Sequence, residues 1–307
     1  MTSSQRSDNG GRPERLAVVG PGAIGATFAA VAERAGLGAV PLYGRTPVGP
    51  ITVLPDDGAP TRLAGEVRTE PEAARGPVDW LLLAVKAHQT TAAGHWLERL
   101  AGPDTVVVVL QNGVEHRQRV APYVGGATVL PTVVWCPAEG LDRRTIRLRG
   151  TPELTVPDAP AGHRLAELLV PGGAKVHVRA DFDTDLWRKL AMNAVAGLMV
   201  LTGRRSGMFR RPDIRGLAIA LAEECRAVAA AEGVRLEASL GPDLVDRLAS
   251  MPPDMGSSIL YDRQAGRALE WDARNGVVCR LGAAHGVPTP ISDALVPLLA
   301  AASDDPH

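Results

Sequence analysis

Gly20-Pro21-Gly22-Ala23-Ile24-Gly25 constrains the fold of this chain more than any other stretch, because of what flanks it. The preceding Arg15-Leu16-Ala17-Val18-Val19 is a short apolar, β-branched run that reads as a buried strand. Residues 26–35, rich in alanine, read as a helix packed close to that strand. Strand, tight glycine turn and helix form the unit that binds dinucleotides. The first glycine permits the turn, the second lets a pyrophosphate approach the backbone, and the third lets helix and strand pack closely. The pyrophosphate rests on unpaired N–H groups at the positive end of the helix, which Ala23, Ile24 and Gly25 would contribute here. A βα turn with no ligand is the alternative use of the same residues.

The end of the second strand indicates which dinucleotide. Ala39-Val40-Pro41-Leu42-Tyr43 reads as that strand. A carboxylate about twenty residues past the turn would accept hydrogen bonds from a free ribose 2′-hydroxyl and favour NAD. The chain continues instead with Gly44-Arg45-Thr46 and offers no acid there. Arg45 can present planar donors to a 2′-phosphate, with the Thr46 hydroxyl beside it, so NADP (NADPH or NADP+) is the expected cofactor. An ordinary solvated arginine is the competing interpretation.

At 307 residues the chain has room for two domains with a sizeable core. A formal net charge of −1 offers no basic footprint for nucleic acid. Cys136, Cys225 and Cys279 are dispersed, odd in number and without a CxxC pair. That argues against a disulfide framework and for a reducing cytoplasm. The seven histidines show no HxxxH or HExxH spacing, so no metal site is expected. No apolar run is long enough to span a bilayer, and no membrane partner is expected. Residues 1–14 are polar, contain Gly10-Gly11 and lack an apolar signal-peptide core; they are expected to be a disordered tail.

Strands and helices alternate through the first half. Buried strands are expected at 77–85 and 105–110, with a helix at 90–100 between them. Further strand-like runs follow at 128–135, 144–149, 153–156 and 175–178, with a helix at 163–169. Short strands around 51–53 are compatible with the proline-rich segment there. Repeated βα units imply an α/β, doubly wound parallel sheet covered on both faces. From Asp181 the strands disappear, and 186–201, 214–232, 242–248 and 266–285 read as helices. The expected organisation is therefore a dinucleotide-binding domain over 15–180 and an all-α domain over 181–307, with the active site between them. In open α/β sheets the ligand lies beyond the carboxyl ends of the strands. Lys86 and Asn112 stand at two such ends, and Gln89 is close by.

Arginine dominates the cations so strongly that only Lys86, Lys175 and Lys189 are lysines. Where arginine serves as the general surface cation, a lysine is more often chosen for chemistry, because an ammonium can be tuned to give up a proton. Lys175, near a Gly-Gly turn, reads as surface. Lys189 and Asn193 are four residues apart and share one face of a helix with apolar neighbours Leu186, Leu190 and Met192. Polar side chains on such a helix need partners or a polar cavity. Reduction of a ketone by hydride creates an alkoxide that must be protonated, and a partly buried lysine suits that role. A lysine that snorkels to water is the alternative. Ser257 and Ser258 could bind a carboxylate or cap a helix. Glu270 could accept a substrate hydroxyl, hold Lys189, or be a solvated helix residue.

These motifs, in this order, resemble the ketopantoate reductase (2-dehydropantoate 2-reductase) family from about Arg15 to Ala301. The resemblance is carried by Gly20-x-Gly22-x-x-Gly25, Lys86-x-x-Gln89, Gln111-Asn112-Gly113-Val114, Trp187-x-Lys189-Leu190-x-x-Asn193, Ser257-Ser258 and Ala265-Gly266-Arg267 followed by Glu270. It implies a Rossmann N-terminal domain, an α-helical C-terminal domain, NADPH as hydride donor, and a small 2-oxo acid, ketopantoate, as substrate. Residue by residue, it implies Lys189 as general acid and Glu270 as the acid contacting the substrate hydroxyl. Asn193 and Ser258 match substrate-binding positions, and Lys86 and Asn112 match cofactor-side positions. Two positions depart from the pattern. Gly197 stands where a second asparagine is frequent, and Met255 where a substrate-facing asparagine is common.

The leading expectation is an NADPH-dependent 2-oxo acid reductase making pantoate for pantothenate biosynthesis. The alternatives are a paralogous reductase of another 2-oxo acid with a more apolar side chain, and a dinucleotide-binding regulator without turnover. Sequence leaves the oligomeric state open, a homodimer included.

Overall fold

The first strand, β1 (Leu16–Val19), and the first helix, α1 (Ala23–Arg34), flank the glycine turn as the sequence indicated. The computed structural model describes residues 13–304. Most of the expected tail lies outside them. Glu14 is described and is not part of a loose tail: its carboxylate accepts hydrogen bonds from Trp80 Nε1 at 3.0 Å and Arg164 Nη2 at 2.6 Å.

Five more strands pair with β1 in a six-stranded sheet. They are β2 (Leu42–Tyr43), β5 (Val67–Arg68), β6 (Trp80–Leu83), β7 (Val106–Val109) and β8 (Thr128–Pro131), after two short strands, β3 (Thr52–Pro55) and β4 (Thr61–Arg62), that lie elsewhere. The order is β5-β2-β1-β6-β7-β8, and every pairing is parallel. Alternate residues enter opposite cores, as the pleat requires. Leu16, Val18, Trp80, Leu82, Val106 and Val108 face one core, which includes α1. Ala17, Val19, Leu81, Leu83, Val107 and Val109 face another, which includes Trp96 and Leu97 of α2 (Thr90–Leu100). A sheet buried on both faces explains the unbroken apolar strands.

Not every strand of the first half joins this sheet. The run 128–135 is broken at Thr132, whose fully buried hydroxyl donates to Val109 O at 2.6 Å. Beyond it, β9 (Val133–Trp135) leaves the parallel sheet and pairs antiparallel with β12 (Glu153–Pro157), which pairs parallel with β13 (Lys175–Arg179). The third sheet contains β3, β4, β10 (Ala138–Gly140) and β11 (Thr145–Leu148). The expected parallel sheet is present, and two small mixed sheets accompany it. Two helices complete the strand-bearing half, α3 (His116–Val120) and α4 (Pro160–Leu169).

Past β13 all regular structure is helical. The 21-residue α5 (Phe182–Thr202) runs through a core shared with α6 (Pro212–Ala231), α7 (Leu240–Ser250) and α9 (Val277–His285). The expected helix 266–285 is not continuous. Gly266 sits at φ +61 just after α8 (Ser258–Gln264), a conformation that closes a helix. Helical winding resumes at Trp271 and passes through one wide π-turn, Asp272–Gly276, before α9. Neither α8 nor α10 (Pro290–Ser303) stood out in the sequence. Among the described residues no helix is long and apolar enough to cross a membrane.

Candidate active site

In the parallel sheet the strand order reverses at β1, with β2 and β5 on one side and β6, β7 and β8 on the other. This is the point where such sheets open a crevice at their carboxyl edge. The register sets Val19, Leu83 and Val109 level, so Gly20, Lys86 and Asn112 emerge along one edge. Gly20 has φ +90, and a Cβ there would come within 2.6 Å of Val85 Cγ1 and N. A Cβ at Gly25 would strike Gly20 O, whereas one at Gly22 would meet nothing within 4 Å. Two glycines are therefore needed for packing, and the middle one leaves open space above the backbone. The first N–H groups of α1, Ala23 and Ile24 among them, have no partner within the helix by its geometry. Arg45 is exposed past the end of β2 and makes no ion pair among the described residues. These features fit a dinucleotide.

Side chains from both halves meet at this edge in a closed circuit. Lys86 Nζ donates to Asp262 Oδ2 on α8 at 2.7 Å and to Glu270 Oε2 at 3.4 Å. Glu270 also accepts from Ala87 N at 2.9 Å and from Asn112 Nδ2 at 3.0 Å. Asn112 Oδ1 accepts from Asn193 Nδ2 on α5 at 3.1 Å. Asn193 Oδ1 accepts from Arg274 Nη2 at 2.9 Å, and Arg274 Nη1 donates to Ser258 Oγ at 3.3 Å, returning to α8. Burial by itself would raise the Glu270 carboxyl. The Lys86 ammonium, the Ala87 N–H, Arg274 and Asn112 outweigh it and hold the group below the usual carboxylate range, so Glu270 is an anion.

Two expectations change here. Glu270 does not hold Lys189; its partners are Lys86, Ala87 and Asn112, because residue 270 lies over the sheet edge. Gln89 uses its side-chain carbonyl to accept from Lys86 N at 3.3 Å, which braces the turn that carries Lys86. Ser257 occupies the N-cap position of α8, yet its hydroxyl is buried and bonded to nothing. Lys175 is a surface residue, bonded to Glu153 at 3.1 Å.

Lys189 stands apart from the circuit, one turn before Asn193. Its Nζ lies 3.4 Å from the centroid of the Trp135 ring at the end of β9. No carboxylate pairs with it among the described residues. Burial, with smaller pushes from Arg274 and Arg247, lowers its pKa to about 7. An amine balanced between charged and neutral near neutrality can give a proton to a developing oxyanion.

Trp135, Asp262 and Arg274 were not picked out from sequence. Trp135 closes a strand-like run, and Asp262 lies on α8, a helix the sequence did not mark. Arg274 was hidden among many arginines, and nothing local marks the π-turn that buries it. π-turns recur at functional sites, but they are recognised from backbone geometry.

The architecture has counterparts. Profiles of the family described as ketopantoate reductase PanE/ApbA match residues 16–161, and those of its C-terminal part match 181–303. The 2-dehydropantoate 2-reductase of Mycobacterium tuberculosis is 51% identical over 291 residues, covering 95% of this chain and 98% of that protein. A solved ketopantoate reductase from Ralstonia eutropha superposes with a TM-score of 0.84 at 26% identity, covering 94% of this chain and 98% of its own. The dimeric ketopantoate reductase of Staphylococcus aureus gives the same TM-score at 24% identity over 94% and 98% of the two chains. Both halves match in the same order as in these relatives, and with that continuity the chain belongs to the ketopantoate reductase family.

Proposed function

We propose that this chain reduces 2-dehydropantoate to pantoate with NADPH, residues 15–180 holding the cofactor and 181–307 supplying the substrate side. The observation that carries this is Lys189. It is a half-buried amine, its pKa lowered by burial, with no carboxylate partner among the described residues, on the same face of α5 as Asn193, which is bonded to Asn112 at the sheet edge.

NADPH, when bound, supplies the hydride that converts the 2-oxo carbon to a 2-hydroxy carbon. Gly20, Gly22, Ala23, Ile24 and Gly25 would hold its pyrophosphate, and Arg45 would pair with its 2′-phosphate. Lys86, Gln89 and Asn112 shape the crevice wall. Lys189 Nζ holds the proton taken by the carbonyl oxygen, and its charge stabilises that oxygen as negative charge develops. Asn193 and Ser258 orient the substrate. Glu270, kept anionic, accepts from the substrate hydroxyl and holds Lys86 and Asn112 in position.

A second reading has its own support. Gly197 carries no side chain and Met255 no hydrogen-bonding amide, so two amide donors frequent in the family are missing. A 2-oxo acid with a more apolar side chain would need fewer of them. Loss of NADPH absorbance with 2-dehydropantoate and with a panel of apolar 2-oxo acids decides the matter. A higher kcat/KM for 2-dehydropantoate supports the first reading, and turnover only on other members of the panel supports the second. Tight NADPH binding with no turnover on any of them would sink both.

A further inference from the structure

The charges at the sheet edge do not balance within the protein. Both carboxylates of the circuit are in direct ion pairs with other cations, Glu270 with Lys86 and Asp262 with Lys86 and Arg267. Arg274, 2% exposed on the π-turn, has no carboxylate within ion-pair distance among the described residues. Its partners are neutral, the Asn193 amide oxygen and the Ser258 hydroxyl, and its Nε is buried with no partner at all. A guanidinium stays protonated in proteins, and Glu270 and Asp262 act on this one only from beyond ion-pair distance, so its burial lacks a directly bonded anion. Lys189 is a second cation in the same region, and Arg274 is one of the charges that lower its pKa. Ser258, bonded to the guanidinium, is itself exposed, so the buried cation lies one residue from solvent. The Ser257 hydroxyl beside Ser258 is a further buried polar group without a partner.

Resting on the reductase function proposed above, we infer that Arg274 is the anchor for the substrate carboxylate and sets the enzyme's preference for 2-oxo acids over uncharged ketones. A 2-oxo acid carries its carboxylate and its reducible carbonyl on adjacent carbons. The structure sets the two corresponding cations beside each other, Arg274 through Asn193 and Lys189 one turn away on the same helix. The carboxylate supplies the missing anion and fills the donors of a planar fork made for such a group. With the acid end held there, the neighbouring carbonyl oxygen lies toward Lys189. Arg274 thus takes over binding that the absent amides at 197 and 255 would share.

The test compares 2-dehydropantoate with its methyl ester, which keeps the ketone and loses the charge. In the wild-type enzyme kcat/KM should favour the acid strongly. In Arg274→Met the acid-to-ester ratio should fall by roughly a hundredfold, mainly through KM for the acid, with Arg274→Lys in between. NADPH binding by fluorescence reports whether each variant is folded. An unchanged ratio in a folded Arg274→Met protein overturns the anchor. If that variant does not fold, wild-type protein answers the question through competition. Oxamate should compete with 2-dehydropantoate and uncharged oxamide should not, and equal competition overturns the inference. Failure of the wild-type chain to turn over either the acid or the ester would instead overturn the proposed function.

Discussion

The Lys189 ammonium lies face-on over the Trp135 ring, Nζ 3.4 Å from its centroid, and Arg247 lies 5.5 Å from the same ring. The indole is an uncharged partner for the amine in a desolvated place. It holds the side chain in position without a carboxylate that would raise the pKa.

Two measurements follow from that pair. With a pKa of about 7, Lys189 loses its proton as pH rises through neutrality, and reduction requires the protonated form. The kcat/KM for reduction should be level below neutrality and fall about tenfold per pH unit above it. Lys189→Ala should cut turnover by roughly a hundredfold or more and leave NADPH affinity almost unchanged. Near-normal turnover in that variant, or a level profile to high pH in the wild type, would remove Lys189 from the mechanism.

Arg45 is exposed, unpaired with any carboxylate among the described residues, and next to a strand end that lacks an acid. Arg45→Ala should weaken NADPH binding by about tenfold to a hundredfold, as expected for loss of a charge-assisted pair, and spare NADH. Equal losses for both nucleotides would discredit the 2′-phosphate assignment.

Gly197 has a packing reason to lack a side chain. A Cβ there would lie 3.1 Å from Asn275 Oδ1 and 3.2 Å from Leu299 Cδ1. Asn275 is fully buried and donates to Ala194 O at 3.1 Å, so the π-turn rests against α5 at this glycine. Gly197→Asn, which restores the residue frequent in the family, should therefore lower stability by about 2 kcal/mol through overpacking. Denaturant unfolding measures it, and a stabilised variant would show that Asn275 yields easily.

His116 predicts acid sensitivity. It is 1% exposed, its Nε2 lies 3.0 Å from Gln111 O, and its Nδ1 is buried without a partner. Burial lowers its pKa to about 4, so between there and the ordinary 6.5 the unfolded chain binds a proton that the folded one does not. Stability contributed by this group is full above that window and is lost as pH falls through it, up to about 3 kcal/mol. Wild type should lose more stability than His116→Gln between neutrality and pH 4, and parallel unfolding curves for the two would contradict the assignment.

What could be read in the sequence is what neighbouring residues decide. The glycine turn, its strand and helix, the parallel βα order and the switch to helices after Asp181 all follow from short-range pattern and backbone freedom. The same holds for the shared face of Lys189 and Asn193, since helical spacing alone sets it. Glu270 was legible as a candidate, but not its partners, because Asn112 and Lys86 reach it only through the folded chain.

Tertiary structure alone decided the charge pattern of the site. Past Thr132, β9 leaves the parallel sheet, and its end sets Trp135 against Lys189. Gly266 ends one helix, and the π-turn that follows buries Arg274 between Asn193 and Ser258. Charge and burial act through space, so the same arginine is a solvated cation or an unpaired buried one according to which distant segments close over it. A periodic pattern carries no record of that closure.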